Sequence, residues 1–336
     1  MNTRSDFETF IFICPHCQYQ TRLPEAFEGL MHTCENCKVK SFATATTEKI
    51  CPSCGKSVDI SAKKCQYCQQ EFIDISILLK KLESDLGIKM IEIPAGSFMM
   101  GSPESEVGRF ADELLHHETV EKKFWMSETP ITKSQYKKVT GKTRGWAGIS
   151  GNVEYPNNPV SCVDWDEADQ YCRLLNEKYA DYIPCNVQFD LPTEIQWEYS
   201  CRAGTTSPLY NGKSLKKTFF DFEKDCIADI AQYGMFSGPQ QVKKKKPNNW
   251  GLYDMVGNVY EWCRDNYYLY PGDNNIDNIQ KCADLSLKDR KIIRGGCWEL
   301  TPISCSVSAC RSAAREAKVP SFRDDLTGFR IILEEK

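Results

Sequence analysis

Eight of the eighteen cysteines fall within the first 68 residues, and they come as C-x-x-C pairs. Sixteen residues separate Cys14 and Cys17 from Cys34 and Cys37, and ten separate Cys51 and Cys54 from Cys65 and Cys68. A C-x-x-C turn presents two sulfurs at one end of a short hairpin, and two such turns complete a tetrahedral thiolate cage. Zinc suits that donor set because it is redox-inert and tolerates four thiolates. Two structural zinc ions are therefore expected, in ribbons at residues 1–48 and 49–72. The competing use of C-x-x-C, a redox motif beside a βαβ unit, finds no such unit here. His16 and His32 lie close by, but four sulfurs already complete each cage. Segments this small bury little apolar surface, so metal binding would supply much of their folding energy, roughly 10–16 kcal/mol per ion.

A second group of thiols lies between two rigid signatures, Arg294-Gly295-Gly296 and Gly328-Phe329-Arg330: Cys297, Cys305 and Cys310. The segment is therefore either a site of thiol chemistry or a recognition surface in a fixed frame. A third candidate is D-M-V-G-N-V-Y-E-W, which carries Asp254, Gly257, Val259 and Glu261. Two carboxylates seven residues apart around a glycine turn could fold oxygens about a hard cation. The bland alternative is a buried Glu261 bonded to backbone amides.

These groups need a scaffold. The chain has 336 residues, 41% hydrophobic and 26% charged, which is ordinary for a globular protein of two or three domains. Its net charge of −4, with eight Lys/Arg against eight Asp/Glu in residues 1–72, does not favour nucleic acid. No apolar run is long enough to cross a bilayer, and Met1–Thr9 lacks the apolar core of a signal peptide. The expected location is cytoplasmic, where thiols stay reduced. Residues 73–87, I-D-I-S-I-L-L-K-K-L-E-S-D-L-G, repeat apolar residues at helical spacing and stop at Gly87, as a connector helix would. Strands are expected over Met90–Met100 and Thr119–Met126, a short helix over Ser134–Val139, and a loop over Lys142–Asn158. Trp165–Tyr179 is an amphipathic helix burying Ala168, Tyr171, Cys172, Leu175 and Tyr179. Thr193 caps a further helix running to about Arg202. Long stretches rich in Gly, Asn, Asp, Tyr and Trp follow, so the class is an irregular α+β fold with functional loops.

M-I-E-I-P-A-G-S-F-M-M-G-S (90–102), P-I-T (130–132), P-V-S-C-V-D-W (159–165), L-P-T-E-I-Q-W-E-Y-S-C-R-A-G (191–204), W-G-L-Y-D-M-V-G-N-V-Y-E-W (250–262), R-G-G and G-F-R occur in this order. Together they resemble the formylglycine-generating enzyme (sulfatase-modifying factor) family over residues 88–336. The resemblance implies a C-type-lectin-like fold. It also implies calcium at Asp254, Gly257, Val259 and Glu261, through side-chain oxygens at the ends and carbonyls between. A second calcium site would begin near Asp229, but Lys243–Lys246 replace its acidic partner, and those lysines read as a solvated loop. Enzymatic members oxidise a substrate cysteine with copper held by two thiolates. Here Leu300 occupies the first thiol position, Thr301 the neighbouring histidine position and Cys305 the second thiol position. A shifted pair would use Cys305 with Cys310 or Cys297. The branch using histidine-held iron has too few histidines, with His116 and His117 alone outside the ribbons.

The segment from Arg311 to Arg330 is similar to that of non-catalytic members, including variable proteins of diversity-generating retroelements. Leu300–Ala309 holds only residues that their diversified codons allow. The sequence thus predicts two zinc ribbons ahead of a domain that binds a ligand, most simply a protein. Its contacts would be Trp298, Glu299, Leu300, Thr301, Ile303, Val307, Val319, Phe322 and Asp325. Arg311, Arg315, Arg323 and Arg330 would be scaffold, pairing with loop carbonyls and carboxylates. The alternative is a divergent copper oxidase acting through Cys305.

Overall fold

The computed structural model describes residues 9–13, 20–24, 31–33, 36, 38, 40–42, 48–51, 55–59, 62, 64–68 and 74–336, apart from 146–154, 185, 217–223, 235–237, 274–288 and 300–306. Before residue 60 the described chain forms three antiparallel strand pairs. These are β1 (Thr9–Ile13) with β2 (Gln20–Pro24), β3 (Met31–Thr33) with β4 (Lys40–Phe42), and β5 (Glu48–Ile50) with β6 (Ser57–Asp59).

Helix α1 (Ile75–Leu86) begins where the Asp74 side chain accepts the Ser76 amide and ends at Gly87, whose φ of 71° is left-handed. Leu78, Leu82 and Leu86 recur every fourth residue and are buried against Ile88, Tyr136 and Tyr171. The expected connector is therefore also a core element. Gln135 and Lys138 donate to the Gly87 and Asp85 carbonyls at its C-terminal end.

The remaining strands are β7 (Met90–Ile93), β8 (Gly96–Met100), β9 (His116–Val120), β10 (Phe124–Ser127), β11 (Val187–Asp190), β12 (Tyr260–Asn266), β13 (Lys291–Arg294), β14 (Arg315–Lys318), β15 (Thr327–Gly328) and β16 (Ile332–Glu335). Helices α2 (Lys133–Thr140), α3 (Trp165–Lys178) and α4 (Glu194–Arg202) lie between them. One antiparallel sheet runs β11-β16-β10-β7, a second, mixed sheet runs β14-β13-β12-β15 with β12 and β15 parallel, and β8 pairs with β9. Each of the two expected long strands is broken. Met90–Met100 leaves β7 for β8 at Pro94-Ala95, and Thr119–Met126 leaves β9 for β10 at Glu121–Lys123, because the halves pair in different sheets.

The first sheet separates two apolar cores. Side chains alternate across a strand, so Trp125 and Leu333 join the core under α3, while Phe124, Met126 and Ile332 join the core around Trp197 and Met255. Helix α3 buries Ala168, Tyr171, Cys172 and Leu175, the predicted face. Helix α4 starts at a reciprocal capping box between Thr193 and Gln196. It is buried nearly all round, with Glu194, Glu198 and Arg202 inside among the apolar residues. Among the described residues no helix is long and apolar enough to cross a membrane.

Candidate binding surface and thiolate metal centre

The segment from β13 to the second glycine signature is held by arginines whose charge is spent internally. Arg294 is fully buried, donates to the Ala313 and Ala314 carbonyls at 2.7 and 2.6 Å, and pairs with the Glu198 carboxylate. Burial opposes its charge, but Glu198 and Glu194 outweigh that and hold the guanidinium above its ordinary range. Arg315 grips both oxygens of Glu194 at 2.9 and 2.8 Å, with the Tyr270 ring 4.0 Å away. Arg311 donates to Glu106 at 2.6 Å and to both oxygens of Glu113 at 2.8 and 2.6 Å. Arg330 grips Glu261 at 2.6 and 2.9 Å. Arg323, at the surface, pairs with Asp164, the N-cap of α3. The expected scaffold role of these arginines is what the geometry gives them. Their partners Glu106, Glu113, Glu194 and Glu198 were not singled out from the sequence. The i, i+4 spacing of Glu194 and Glu198 on α4 was the available signal.

The glycines between these anchors are set by contact. A Cβ on Gly296 would stand 2.7 Å from the Cys310 sulfur, and one on Gly328 would stand 2.2 Å from the Val160 carbonyl oxygen.

Of the proposed contact residues, Glu299, Phe322 and Asp325 are half-buried and Val319 is exposed. Burial raises the Asp325 carboxyl, and Glu299 adds to the shift. Trp298 is buried beneath this face, with its indole N–H donating to the Asp325 carbonyl at 3.2 Å. Val307 is a correction. It opens a buried 3₁₀ turn, Val307–Cys310, and belongs to the core cluster of Met255 and Ile292, so its side chain is not on the surface. Leu300, Thr301, Ile303 and Cys305 lie outside the described residues.

Copper chemistry would require two thiolates on an open groove. Cys297 and Cys310 are both fully buried, in different apolar clusters, so neither faces an open groove. With Leu300 at the first thiol position, the described donors do not fit that metal.

The expected calcium set fares similarly. Glu261 gives its two oxygens to Arg330 and takes the Trp197 indole N–H at 2.6 Å, so a guanidinium already supplies the local positive charge. Asp254, at a φ of 52°, accepts the Lys243 amide at 2.8 Å and the Asn258 side chain at 3.3 Å. Burial pushes its carboxyl up to about 6.

A metal-ligand geometry does form in the segment expected to be the second ribbon. The sulfurs of Cys51, Cys65 and Cys68 lie within 4.8 Å of one another, with Cys51 and Cys68 at 3.5 Å. The turn after Cys51 closes through the Gly55 amide on the Cys51 carbonyl and the Cys51 amide on the Lys56 carbonyl, both at 2.8 Å. Burial opposes ionisation of Cys65, but the Cys68 and Tyr67 amides and the neighbouring thiols outweigh it and lower the thiol to about 6. Such a donor set fits zinc. Cys54, which would complete it, lies outside the described residues, as do Cys14, Cys17, Cys34 and Cys37 of the first ribbon.

A frame of buried arginines holding long loops on two small sheets defines a C-type-lectin-like domain of the formylglycine-generating type. The chain belongs to the sulfatase-modifying factor enzyme 1-like domain family, whose profile matches residues 78–335. It is 26% identical to the formylglycine-generating enzyme of Mus musculus over 72% of this chain and 74% of that protein. It is 27% identical to the inactive C-alpha-formylglycine-generating enzyme 2 of Bos taurus over 66% of this chain and 63% of that protein. Among solved structures, PvdO from Pseudomonas aeruginosa matches with a TM-score of 0.57 at 29% identity, covering 73% of this chain and 94% of PvdO. Treponema denticola variable protein 1 shares the fold, with a TM-score of 0.55 at 23% identity over 73% of this chain and 94% of its own.

Proposed function

We propose that this protein is a non-catalytic, ligand-binding member of its family, that the ligand is a protein, and that zinc-held ribbons precede the binding domain. Relatives named as active and as inactive enzymes match it about equally well, so family membership does not assign the chemistry and the donor set must. The supporting observation is that the frame between Arg294 and Arg330 exposes no thiol among its described residues, while Glu299, Val319, Phe322 and Asp325 form a mixed apolar and acidic face. Trp298 supports that face from below. Retroelement-driven diversity, where present, is confined to positions outside the buried Val307–Cys310 turn. A reverse transcriptase gene and a near-copy repeat beside the gene are its genomic mark.

The test has two arms. The full chain is incubated with copper, dioxygen and a cysteine-containing sulfatase-type peptide, and the peptide mass is expected to stay unchanged. Mass loss that Cys305→Ser abolishes would establish the oxidase instead. In the second arm, a photo-crosslinker replaces Val319 or, as control, Lys178. Specific protein adducts are expected from Val319 only, and equal adducts from both positions would refute the binding face.

A further inference from the structure

Two cavities meet at Lys244. One, of about 460 Å³, lies between the end of α1, the end of β10, α2 and the chain at residues 241–244. The other, of about 380 Å³, runs between Tyr155–Asn158 and Pro239–Gln241. Asn157, Gln241 and Lys244 line both, so the two form one trough. None of its described lining residues belongs to the Arg294–Arg330 segment.

The charge of the trough is one-sided. Among the described residues, Lys89, Lys138, Lys243 and Lys244 line the larger cavity against a single acid, Glu128. Glu128 is already paired with Lys89 at 3.2 Å and Lys243 at 2.7 Å. Lys138 donates to the Asp85 carbonyl at 3.2 Å and is exposed. Lys244 is exposed and makes no ion pair or hydrogen bond among the described residues. In a chain of net charge −4, this is a local excess of positive charge over an elongated depression. The uncharged lining is equally specific. The side-chain amides of Asn157 and Gln241 flank Lys244 and have no partner among the described residues. A carboxamide offers one acceptor and two donors, which match the carbonyl and N–H of a polypeptide backbone. Leu86, Ile88, Ile131 and Val242 add apolar floor for a side chain. Among the described lining residues Tyr155 is the one aromatic side chain, where single-stranded nucleic acid would use several as stacking platforms.

We propose that this trough binds an acidic polypeptide segment, with carboxylates at Lys244 and Lys138 and the peptide backbone against Asn157 and Gln241. This site stands apart from the C-terminal face and does not depend on how that face functions.

The experiment titrates the full chain into a fluorescein-labelled peptide rich in Glu and Leu, read by anisotropy, beside a peptide with Gln in place of every Glu. The Glu peptide is expected to bind, more weakly as salt rises. The variant Lys138→Glu/Lys244→Glu, altered only at exposed positions, is expected to lose about tenfold or more in affinity. Lys178→Glu, an equal charge reversal elsewhere on the surface, is expected to bind as the parent does. Equal affinity for the Gln peptide, or an unchanged affinity in the double variant, would overturn the proposal. So would displacement of the peptide by an RNA oligonucleotide or anionic phospholipid vesicles at concentrations where unlabelled Glu peptide fails.

Discussion

Replacing Arg311 by Met tests the buried frame most directly. Arg311 and Glu113 have fully buried side chains and Glu106 is nearly so, at 0, 0 and 3% exposure. Met occupies a similar volume, so the change removes charge and hydrogen bonds while leaving only a modest packing defect. Two carboxylates then lose their shared cation in a dry site. Breaking a buried pair from one side costs about 3–5 kcal/mol, a large part of the roughly 5–15 kcal/mol that holds a typical domain. The carboxylates answer partly by taking up protons, and Glu106, already raised by burial with Arg311 opposing the shift, is the first to do so. A loss near 4 kcal/mol is expected in urea unfolding followed by tryptophan fluorescence. The combined variant Arg311→Met/Glu106→Gln/Glu113→Gln is expected to recover at least half of it, since the uncompensated charge is gone. The loop from Gly101 to Leu115 loses its tie to the C-terminal segment, so trypsin should cut at Arg109 faster than in the parent. A loss below about 1 kcal/mol, or a triple variant no more stable than Arg311→Met alone, would refute the account of Arg311 as the anchor of that loop.

Asp254 gives a pH signature. Its carboxyl is raised from 3.8 to about 6 in the folded state, so its contribution is fully present below the unfolded value and is lost as pH rises through the folded one. Stability should fall by on the order of 2–3 kcal/mol between pH 4 and 7 relative to Asp254→Asn, which lacks that slope. Equal slopes in urea titrations would remove Asp254 from the account. Cys65→Ser should lower the zinc content of the purified chain, read by mass spectrometry, and unfold residues 49–72 while leaving the main thermal transition in place; a zinc content equal to the parent's would remove Cys65 from the ligand set. A chain starting at residue 88 loses Leu78, Leu82 and Leu86 from the core. At about 1.5–3 kcal/mol for each buried leucine, it should be less stable by roughly 5 kcal/mol or more, and a truncated domain melting at the parental temperature would return α1 to the role of spacer.

The sequence displayed its helices well because their signals are local. Asp74 and Gly87 bound α1, Thr193 with Gln196 opens α4, and the apolar stripe of α3 is read within fourteen residues. Strands were harder. β10, Phe-Trp-Met-Ser, is buried at all four positions because it sits inside a sheet with a core on each face, so it carries no alternation. The breaks between β7 and β8 and between β9 and β10 depend on partners a strand cannot announce. The site was legible in its arginines and glycines and illegible in its acids. Glu113 reads as part of a solvated acidic loop until Arg311, 198 residues later, is brought against it. Val307 misled in the opposite sense: a permitted residue in a permissive stretch is still core when its turn faces inward. The lysine run at Lys243–Lys246 looked like a solvated loop. Lys243 proved to be tied to Glu128 and Asp254, and only the fold shows that Lys244 closes a trough with α2.

The order of the first sheet has a consequence for the life of the nascent chain. β16 lies between β10 and β11, pairing Ile332 with both Met126 and Asp190. Until Ile332–Glu335 leave the ribosome, β10 and β11 each present an unpaired edge, and the apolar faces of both cores stay unsealed. Contacts that span some two hundred residues close slowly, and open edges of this kind invite pairing between chains. Synthesis of the domain therefore passes through a stage in which the second sheet has all its strands while the first still lacks the strand that joins its halves. A nascent chain stalled before residue 332 should be bound by chaperones in proportion to how long it waits.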